Sequence, residues 1–538
     1  MGKENTTVYK HFGVMLDCSR NAVMKVSQLK VFIDCLQKMG YNTLELYTED
    51  TYEIEGEPYF GYLRGRYTGA EIKEIDAYAK SRGVELIPCV QALAHYTALV
   101  RHECYREIVD VNDILLIDHP KTYELLDKIF ATLAENFTSR LVNIGMDEAF
   151  MVGLGKYLSE HGYQNRFEIL LRHLQKVVEI AEKYGFKPHM WSDMFFRLAS
   201  KGEYYDPKAH IPEDVKKLVP ENLALTYWDY YHDEKAFYDS MISAHKEFNR
   251  EIWFAGGAWS WDGFAPFSNF TFRTMKPAME SVRESGIENI LITMWGDNGA
   301  ECSAFSLLHA LYTIRQYADG NFEQEKIEKG FYNLFKIRYA DFMLLDLPNR
   351  LSYEDEGREV FGICKSTLYT DPFMGFLDKN VASHRAIPYE QYASDLKKAG
   401  KRAGQFAYLF ESLSCLCNVL AIKMDLGVRT RRAYQLQSKK EILSLAKEYG
   451  ELISRLEKFH ETFYALWERE NKPHGWEIQD ARLGGLMRRL ETCKKRLKAY
   501  ASGKIDKIEE LEEEILPYGD GKFLGFNCYE KAVSMSLM

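Results

Sequence analysis

Over roughly the first 310 residues, short apolar runs alternate with amphipathic stretches of helical period. The apolar runs fall at His11–Cys18, Thr43–Thr48, Glu85–Gln91, Leu141–Asp147, Pro188–Asp193, Leu223–Asp229, Ile252–Trp259 and Asn289–Asp297. Each reads as a strand buried on both faces. Between them lie helical patterns at Ser27–Met39, Thr68–Ser81, Pro120–Asn136, Arg166–Tyr184, Glu234–Phe248 and Phe267–Glu284. A helix-ending glycine precedes the next strand at Met39-Gly40, Arg82-Gly83, Tyr184-Gly185 and Ser285-Gly286. Eight strand-then-helix units predict an α/β fold, a (β/α)8 TIM barrel. A doubly wound open sheet is the alternative, but no glycine-rich phosphate fingerprint follows the first run.

From about Phe322 the alternation stops and long, charged helical patterns take over: Glu323–Arg338, Glu390–Lys423, Leu436–Arg469, Arg482–Ser502 and Ile505–Ile515. The chain therefore divides into a barrel over residues 1–320 and a mainly α-helical C-terminal domain over residues 321–538. The charge runs Lys494–Lys498 and Glu509–Glu514 read as solvated helix faces. The segment Asn471–Gly485 interrupts two strong helical patterns with Gly475, Trp476 and alternating charges. It reads as a helix–helix turn, or as a segment that reaches a barrel mouth, its own or a partner's.

Composition narrows the chemistry. Aromatic residues make up 14% of the 538, a surface that suits the C–H faces of sugars as well as a large core, and the net charge of −10 argues against nucleic acid as a partner. The ten cysteines show no zinc-type spacing and read as reduced, buried thiols, Cys18 and Cys89 among them, which predicts a cytoplasmic protein. Met1–Thr7 has no apolar leader core, and no later apolar run reads as long enough to span a bilayer, so no membrane association is expected.

A barrel enzyme gathers its site at the C-terminal ends of its strands. Polar and aromatic residues do cluster there: Asp17 and Arg20 after the first run, Glu49-Asp50 after the second, His95 after the third, Asp147-Glu148 at the fourth, Trp191 and Asp193 at the fifth. The last three runs end on Trp228 and Tyr230, on Trp259 and Trp261, and on Trp295 and Asp297. Five of the eight tryptophans sit at such ends, whereas Trp253 lies mid-strand and reads as core. Taken alone, an Asp-Glu pair solvates and caps the next segment of chain. On strict alternation Asp147 and Glu148 also point to opposite sides, unless the strand ends and bends there. Gly145 leaves room for a ligand or a neighbouring backbone.

A ring of Trp, Asp, Glu, His and Arg without metal-ligand spacing predicts acid/base chemistry on a neutral polyhydroxylated substrate, with no metal or cofactor. Glycoside hydrolysis needs one protonated carboxyl group for the leaving oxygen and a second group at the oxocarbenium-like centre. Adjacent residues cannot readily flank the bond as acid and direct nucleophile. If the substrate's own 2-acetamido carbonyl attacks, the second carboxylate need only hold the acetamide N–H beside the acid, and adjacency becomes sensible.

The order Gly13-Val-Met-Leu-Asp17-Cys-Ser-Arg20, Glu49-Asp50, His95, Gly145-Met-Asp147-Glu148, Trp191-Ser-Asp193, Tyr227-Trp228 and Trp295-Gly-Asp297 resembles glycoside hydrolase family 20, the β-N-acetylhexosaminidases. The likeness spans about residues 8–320, with a looser one around Glu470–Leu486, and points to the clade of hexosaminidase D and bacterial exo-β-N-acetylglucosaminidases with a helical C-terminal domain. It implies a retaining exo-hydrolase that removes terminal β-linked N-acetylglucosamine or N-acetylgalactosamine from an oligosaccharide through an oxazolinium intermediate. Glu148 is then the general acid, and Asp147 orients the acetamide and raises the proton affinity of Glu148. Trp191, Trp228 and Trp295 shape the acetamide pocket and sugar platform, with Tyr230 and Trp259 also against the substrate. Asp297 accepts from sugar hydroxyls, and His95, Glu49 and Asp50 form a supporting shell.

Read alone, Arg20 is an ion-pair partner in that shell rather than a ligand. The family's strand-one arginine, which grips the hydroxyls, is Phe12 here. Its strand-seven tyrosine is replaced by Trp259-Ser260-Trp261, with Tyr230, Tyr47 or an indole N–H as substitutes. The related enzymes leave a homodimer open. The alternatives are an O-GlcNAc-removing type of hydrolase and a non-catalytic sugar-binding or scaffold barrel.

Overall fold

The structure, a computed structural model, describes residues 9–355, 361–381, 387–519 and 527–536. Met1–Thr7, on which the expectation of no leader rests, lies outside them. Eight strands form a ring: β1 (His11–Asp17), β2 (Thr43–Tyr47), β3 (Glu85–Cys89), β4 (Leu141–Asn143), β5 (Lys187–Trp191), β6 (Ala224–Trp228), β7 (Ile252–Gly257) and β8 (Asn289–Met294). All pairings are parallel and sequential, and β8 closes onto β1 with His11 opposite Asn289. This is the (β/α)8 barrel that the pattern predicts. The helices fall on the predicted stretches too, helped by local signals such as the Thr68–Glu71 capping box and Pro120 in a first turn.

The strands stop one to four residues short of the runs that mark them. At three of them the cause is backbone handedness. After β2, β4 and β8, Glu49, Met146, Glu148 and Asn298 have positive φ, which takes the chain off the ladder where the polar residues begin. A small antiparallel hairpin, Val109–Val111 with Ile114–Leu115, is too short to leave a periodic trace.

Inside the barrel, Trp253 stacks between the rings of His11 (5.1 Å) and His189 (4.4 Å), and His189 pairs with buried Glu45 at 3.0 Å. This polar layer is the floor beneath the site. Phe12, one residue along from His11, points the other way: it packs outside the barrel against Tyr41 and beneath Arg315. Alternation alone therefore denies that position any contact with a ligand in the barrel mouth.

Beyond the helix Leu308–Ala318, which packs on Ser268–Ser285, the chain is helical. Ile442, Leu445, Tyr449, Leu452, Leu456, Phe459, Phe463 and Leu466 form an alternating three-and-four seam on Lys439–Glu470. It packs against the matching seam of Leu483, Leu486, Leu490, Cys493 and Leu497 on Trp476–Ala501. Each such side chain contributes about 1.5–3 kcal/mol on burial.

Three expectations need correction here. The helix read over Glu390–Lys423 is broken, with Tyr389–Gly400 and Ala407–Lys423 separated around Gly404, whose φ is +52°. Ile505–Ile515 forms one helical turn, Glu509–Glu512, because neighbouring glutamates repel and Arg431 draws the carbonyls of Glu510, Leu511 and Glu513 to one guanidinium. Finally, among the described residues one stretch, Gly404–Gln435, is long and apolar enough to cross a membrane by length and composition, and 61% of its most apolar window is buried inside this protein.

Candidate active site

The loops leaving the C-terminal strand ends surround a pocket of about 90 Å³. Its acidic wall comes from the segment after β4. Gly145, Met146 and Glu148 have φ of 70°, 76° and 53°, so the chain coils rather than alternates, and both carboxylates reach one imidazole. His95 Nε2 lies 3.1 Å from Asp147 and 3.9 Å from Glu148. The bend that adjacency demands is therefore present.

Gly145 is required for a reason other than the one the sequence suggests. A side chain, not a backbone or ligand, lies against it: an added Cβ would sit 2.1 Å from Gln91 Oε1. That amide is fully committed. Its Oε1 accepts from Met146 N (3.2 Å), and its Nε2 donates to Asp147 (2.7 Å) and Tyr47 Oη (3.0 Å). Gly145→Ala is expected to cost about 1–2 kcal/mol through φ alone and to displace Gln91 as well. The measurable outcome is a lower Tm together with a fall in kcat, since Asp147 loses its amide donor.

The two carboxyl groups have opposite proton affinities. Burial pushes Glu148 up, the nearby Asp147 and Asp193 charges add to it, and the result is about 7 despite His95 and Arg197. Burial opposes ionisation of Asp147 too, but His95 and the Gln91 amide hold it below its usual value. His95, which burial would lower, is carried up to about 9 by Asp147. At neutral pH Asp147 is thus a carboxylate beside an imidazolium, and Glu148 keeps a proton available. Asp193 anchors the loop by accepting from Glu148 N (3.1 Å) and Arg197 Nε (2.8 Å). Burial and Asp147 raise it to about 6.

Arg20 forms the opposite wall. It lies 3.0 Å from Glu49, 3.6 Å from Asp17 and 3.8 Å from Asp297, with its guanidinium over Tyr47 and Trp295. Tyr47 donates to Glu49 (3.0 Å) and accepts from Gln91, so one network runs from Arg20 to Asp147. Burial raises Glu49 despite Arg20. Asp50 turns away to Arg64 at 3.4 Å and does not line the pocket.

Of the predicted substrate residues, His95, Trp191, Trp228, Tyr230, Trp295 and Asp297 line the pocket. Trp259 does not. The strand has ended at Gly257, so alternation no longer applies, and the indole turns back to donate to Tyr230 O at 3.0 Å while stacking behind Trp261 at 4.4 Å. Trp261 takes its place on the wall, joined by Tyr231. Tyr47 is held by Glu49 and Gln91, which leaves Tyr230, of the two expected substitutes, on the wall beside Tyr231. Trp191 Nε1 is buried with no hydrogen-bond partner among the described residues.

Sequence reasoning assigned no role to Gln91, Arg197 or Tyr231: Gln91 and Tyr231 lie near a strand end, and Arg197 lies on the helix Asp193–Ala199. Among the described residues no group of three or more His, Cys, Asp and Glu side chains is arranged to hold a metal ion.

Residues 9–241 match the catalytic-domain model of glycosyl hydrolase family 20, and residues 340–523 match the Glycoside Hydrolase 20C C-terminal domain. The chain is similar to the beta-hexosaminidase of Vibrio furnissii, 28% identical over 214 residues covering 31% of this chain and 35% of that protein. It is also similar to Hexosaminidase D of Homo sapiens, 25% identical over 226 residues covering 40% of this chain and 44% of that protein. The chain thus spans less than half the length of either relative. Among solved structures, the GH20 exo beta-N-acetylglucosaminidase from Vibrio harveyi in complex with N-acetylglucosamine is 16% identical, with a TM-score of 0.44 over 63% of this chain and 57% of that one.

Proposed function

Because the chain belongs to glycoside hydrolase family 20, we propose that it is a retaining exo-β-N-acetylhexosaminidase that removes terminal β-linked N-acetylglucosamine or N-acetylgalactosamine by substrate-assisted catalysis. The observation that carries this reading is the convergence of Asp147 and Glu148 on His95 with opposite proton affinities. Glu148 donates its proton to the glycosidic oxygen as the bond to the anomeric carbon breaks. The substrate's acetamide oxygen forms the new bond to that carbon, and Asp147 accepts the acetamide N–H and stabilises the positive charge that develops. Glu148, now ionised, takes a proton from water as the water opens the oxazolinium ring. Two displacements retain configuration at the anomeric carbon.

The indoles of Trp191, Trp228 and Trp295 would enclose the acetamide and stack on the sugar. Tyr230 or the unpartnered Trp191 N–H would donate to the acetamide oxygen. Asp297 and Arg20, side by side on the opposite wall, would take the hydroxyls that position 12 cannot reach. A walled pocket suits a single terminal sugar, and the net charge of −10 suits a neutral glycan. The ten unpaired cysteines support a reducing, cytoplasmic setting.

The test is a panel of aryl β-glycosides that varies the 2-acetamido group and the C4 configuration. Chromophore release confined to 2-acetamido substrates is expected, and equal release from 2-hydroxy glucosides would overturn the reading. The pH profile depends on the same carboxyl groups. Donation requires protonated Glu148, so kcat/KM should fall as pH rises through about 7. It should persist in acid until Asp147, held below its usual value, is neutralised. In Asp147→Asn the charge that raises Glu148 is gone, and the alkaline limb of the residual activity should move to lower pH.

A further inference from the structure

The proposed function leaves the helical domain without a role, and the segment Asn471–Gly485 without an explanation. Its first five residues, 471–475, are the turn between the two seam-packed helices, the rest opens the helix Trp476–Ala501, and the segment also reaches this chain's own barrel. Met24 bridges Asn471, Lys472 pairs with Glu71 at 2.8 Å, and Gln479 Nε2 donates to Gly299 O at 3.0 Å.

Those contacts extend to the loops that carry half of the pocket. After β8 the chain runs Trp295, Gly296, Asp297 and then three residues of positive φ: Asn298 (57°), Gly299 (135°) and Ala300 (54°). Left-handed backbone at two non-glycine residues flanking a glycine does not persist unless the surroundings hold it. Here the surroundings are cations of the helical domain. Arg482 Nη1 donates to Asn298 O (2.7 Å) and Glu301 (3.1 Å). Lys365 Nζ donates to the same carbonyl (2.6 Å) and lies 2.9 Å from Glu301. Lys365 and Glu301 side chains are 0% and 1% exposed, so this is an interior tether. Gly299 makes room for it, since a Cβ there would lie 2.6 Å from Arg482 Nη1. The loop after β7 is held from the same side: Asn527 Nδ2 donates to Trp261 O, and Gly362 N donates to Asp262 at 2.6 Å.

We propose that Arg482 and Lys365 are positioning residues of the helical domain that fix the loop bearing Trp295 and Asp297, so that this domain sets the protein's affinity for the terminal sugar. The Asp147–Glu148 wall, built on β3, β4 and β5, receives none of these tethers. Grip and proton transfer are thereby assigned to different parts of the chain. The inference rests on the proposed function for its kinetic consequence but not for its structural one.

Arg482→Gln in the full-length chain separates the possibilities. KM for an aryl β-N-acetylglucosaminide should rise about tenfold, with kcat changed less than about threefold and the alkaline pH limb unmoved. Arg482→Lys should recover part of the loss. In an Asp297→Ala background Arg482→Gln should raise KM by less than it does in the parent, because part of its effect acts through Asp297 and the rest through Trp295. Hydrogen exchange of the amides over 295–301 should quicken while that over 141–148 stays as in the parent. If Arg482→Gln does not fold, Gln479→Leu removes the donor to Gly299 O with the ionic tether intact and should give the same exchange pattern. Equal falls in kcat and kcat/KM, additivity with Asp297→Ala, or unchanged exchange over 295–301 would overturn the proposal. An inactive parent chain would overturn the functional reading, and the exchange measurement would still decide this one.

Discussion

Glu148→Gln is expected to lower kcat by about 100- to 10,000-fold on substrates whose leaving group needs a proton. The amide keeps the size of the side chain and cannot donate to the glycosidic oxygen as an acid. The loss should shrink sharply on a dinitrophenyl glycoside, whose leaving group departs unassisted, because the acetamide and Asp147 remain. A uniform loss across leaving groups would mean that Glu148 supports the fold of the site rather than the proton transfer. The surroundings argue for transfer: burial, Asp147 and Asp193 carry Glu148 to about 7, where a proton is both held and released near neutrality.

Asp147→Asn is the second large effect, a fall of about 100- to 1,000-fold in kcat, as for removal of one preorganised electrostatic partner. Its signature differs from that of Glu148→Gln. Asp147 acts on the acetamide, so the loss should be similar for good and poor leaving groups, and affinity for a thiazoline mimic of the cyclic intermediate should drop with it. His95 loses the charge that carries it to about 9, and burial, now unopposed by Asp147, should take it below its ordinary value. NMR of the His95 ring would show this directly.

Much of the fold could be read in the sequence, for identifiable reasons. Strands buried on both faces and helix-ending glycines leave strong periodic marks, so the order of β1 to β8 and the long helices between them are legible, although the strand ends are not. The helix Lys439–Glu470 is legible as the charged helical pattern over Leu436–Arg469. What failed depends on backbone handedness and on partners far along the chain. Nothing local reveals that Met146 and Glu148 adopt positive φ, and so the run through Leu141 reads as a strand to Asp147 although it ends at Asn143.

Trp259 and Trp261 are equivalent by alternation, and they separate because one indole is captured by the Tyr230 carbonyl. Gln91 carries no charge and sits in a run that reads as strand, yet it locks Asp147, Met146 and Tyr47 together. Arg197 comes from the helix after β5 and reaches within 3.6 Å of Glu148, a contact set by a barrel turn rather than by any spacing. Phe12 shows the reverse case, where alternation was sufficient: its neighbour His11 faces the lumen, so it faces the helices.

At the centre of the proposed mechanism is a nucleophile that belongs to the substrate. It is tested most directly by kcat/KM across aryl β-glycosides bearing acetyl, fluoroacetyl, difluoroacetyl and trifluoroacetyl groups on the 2-amino nitrogen. Each fluorine withdraws electrons from the attacking carbonyl oxygen and changes its size little. A steep, monotonic fall in rate along the series is expected; a flat profile would contradict the mechanism and make a protein carboxylate the nucleophile.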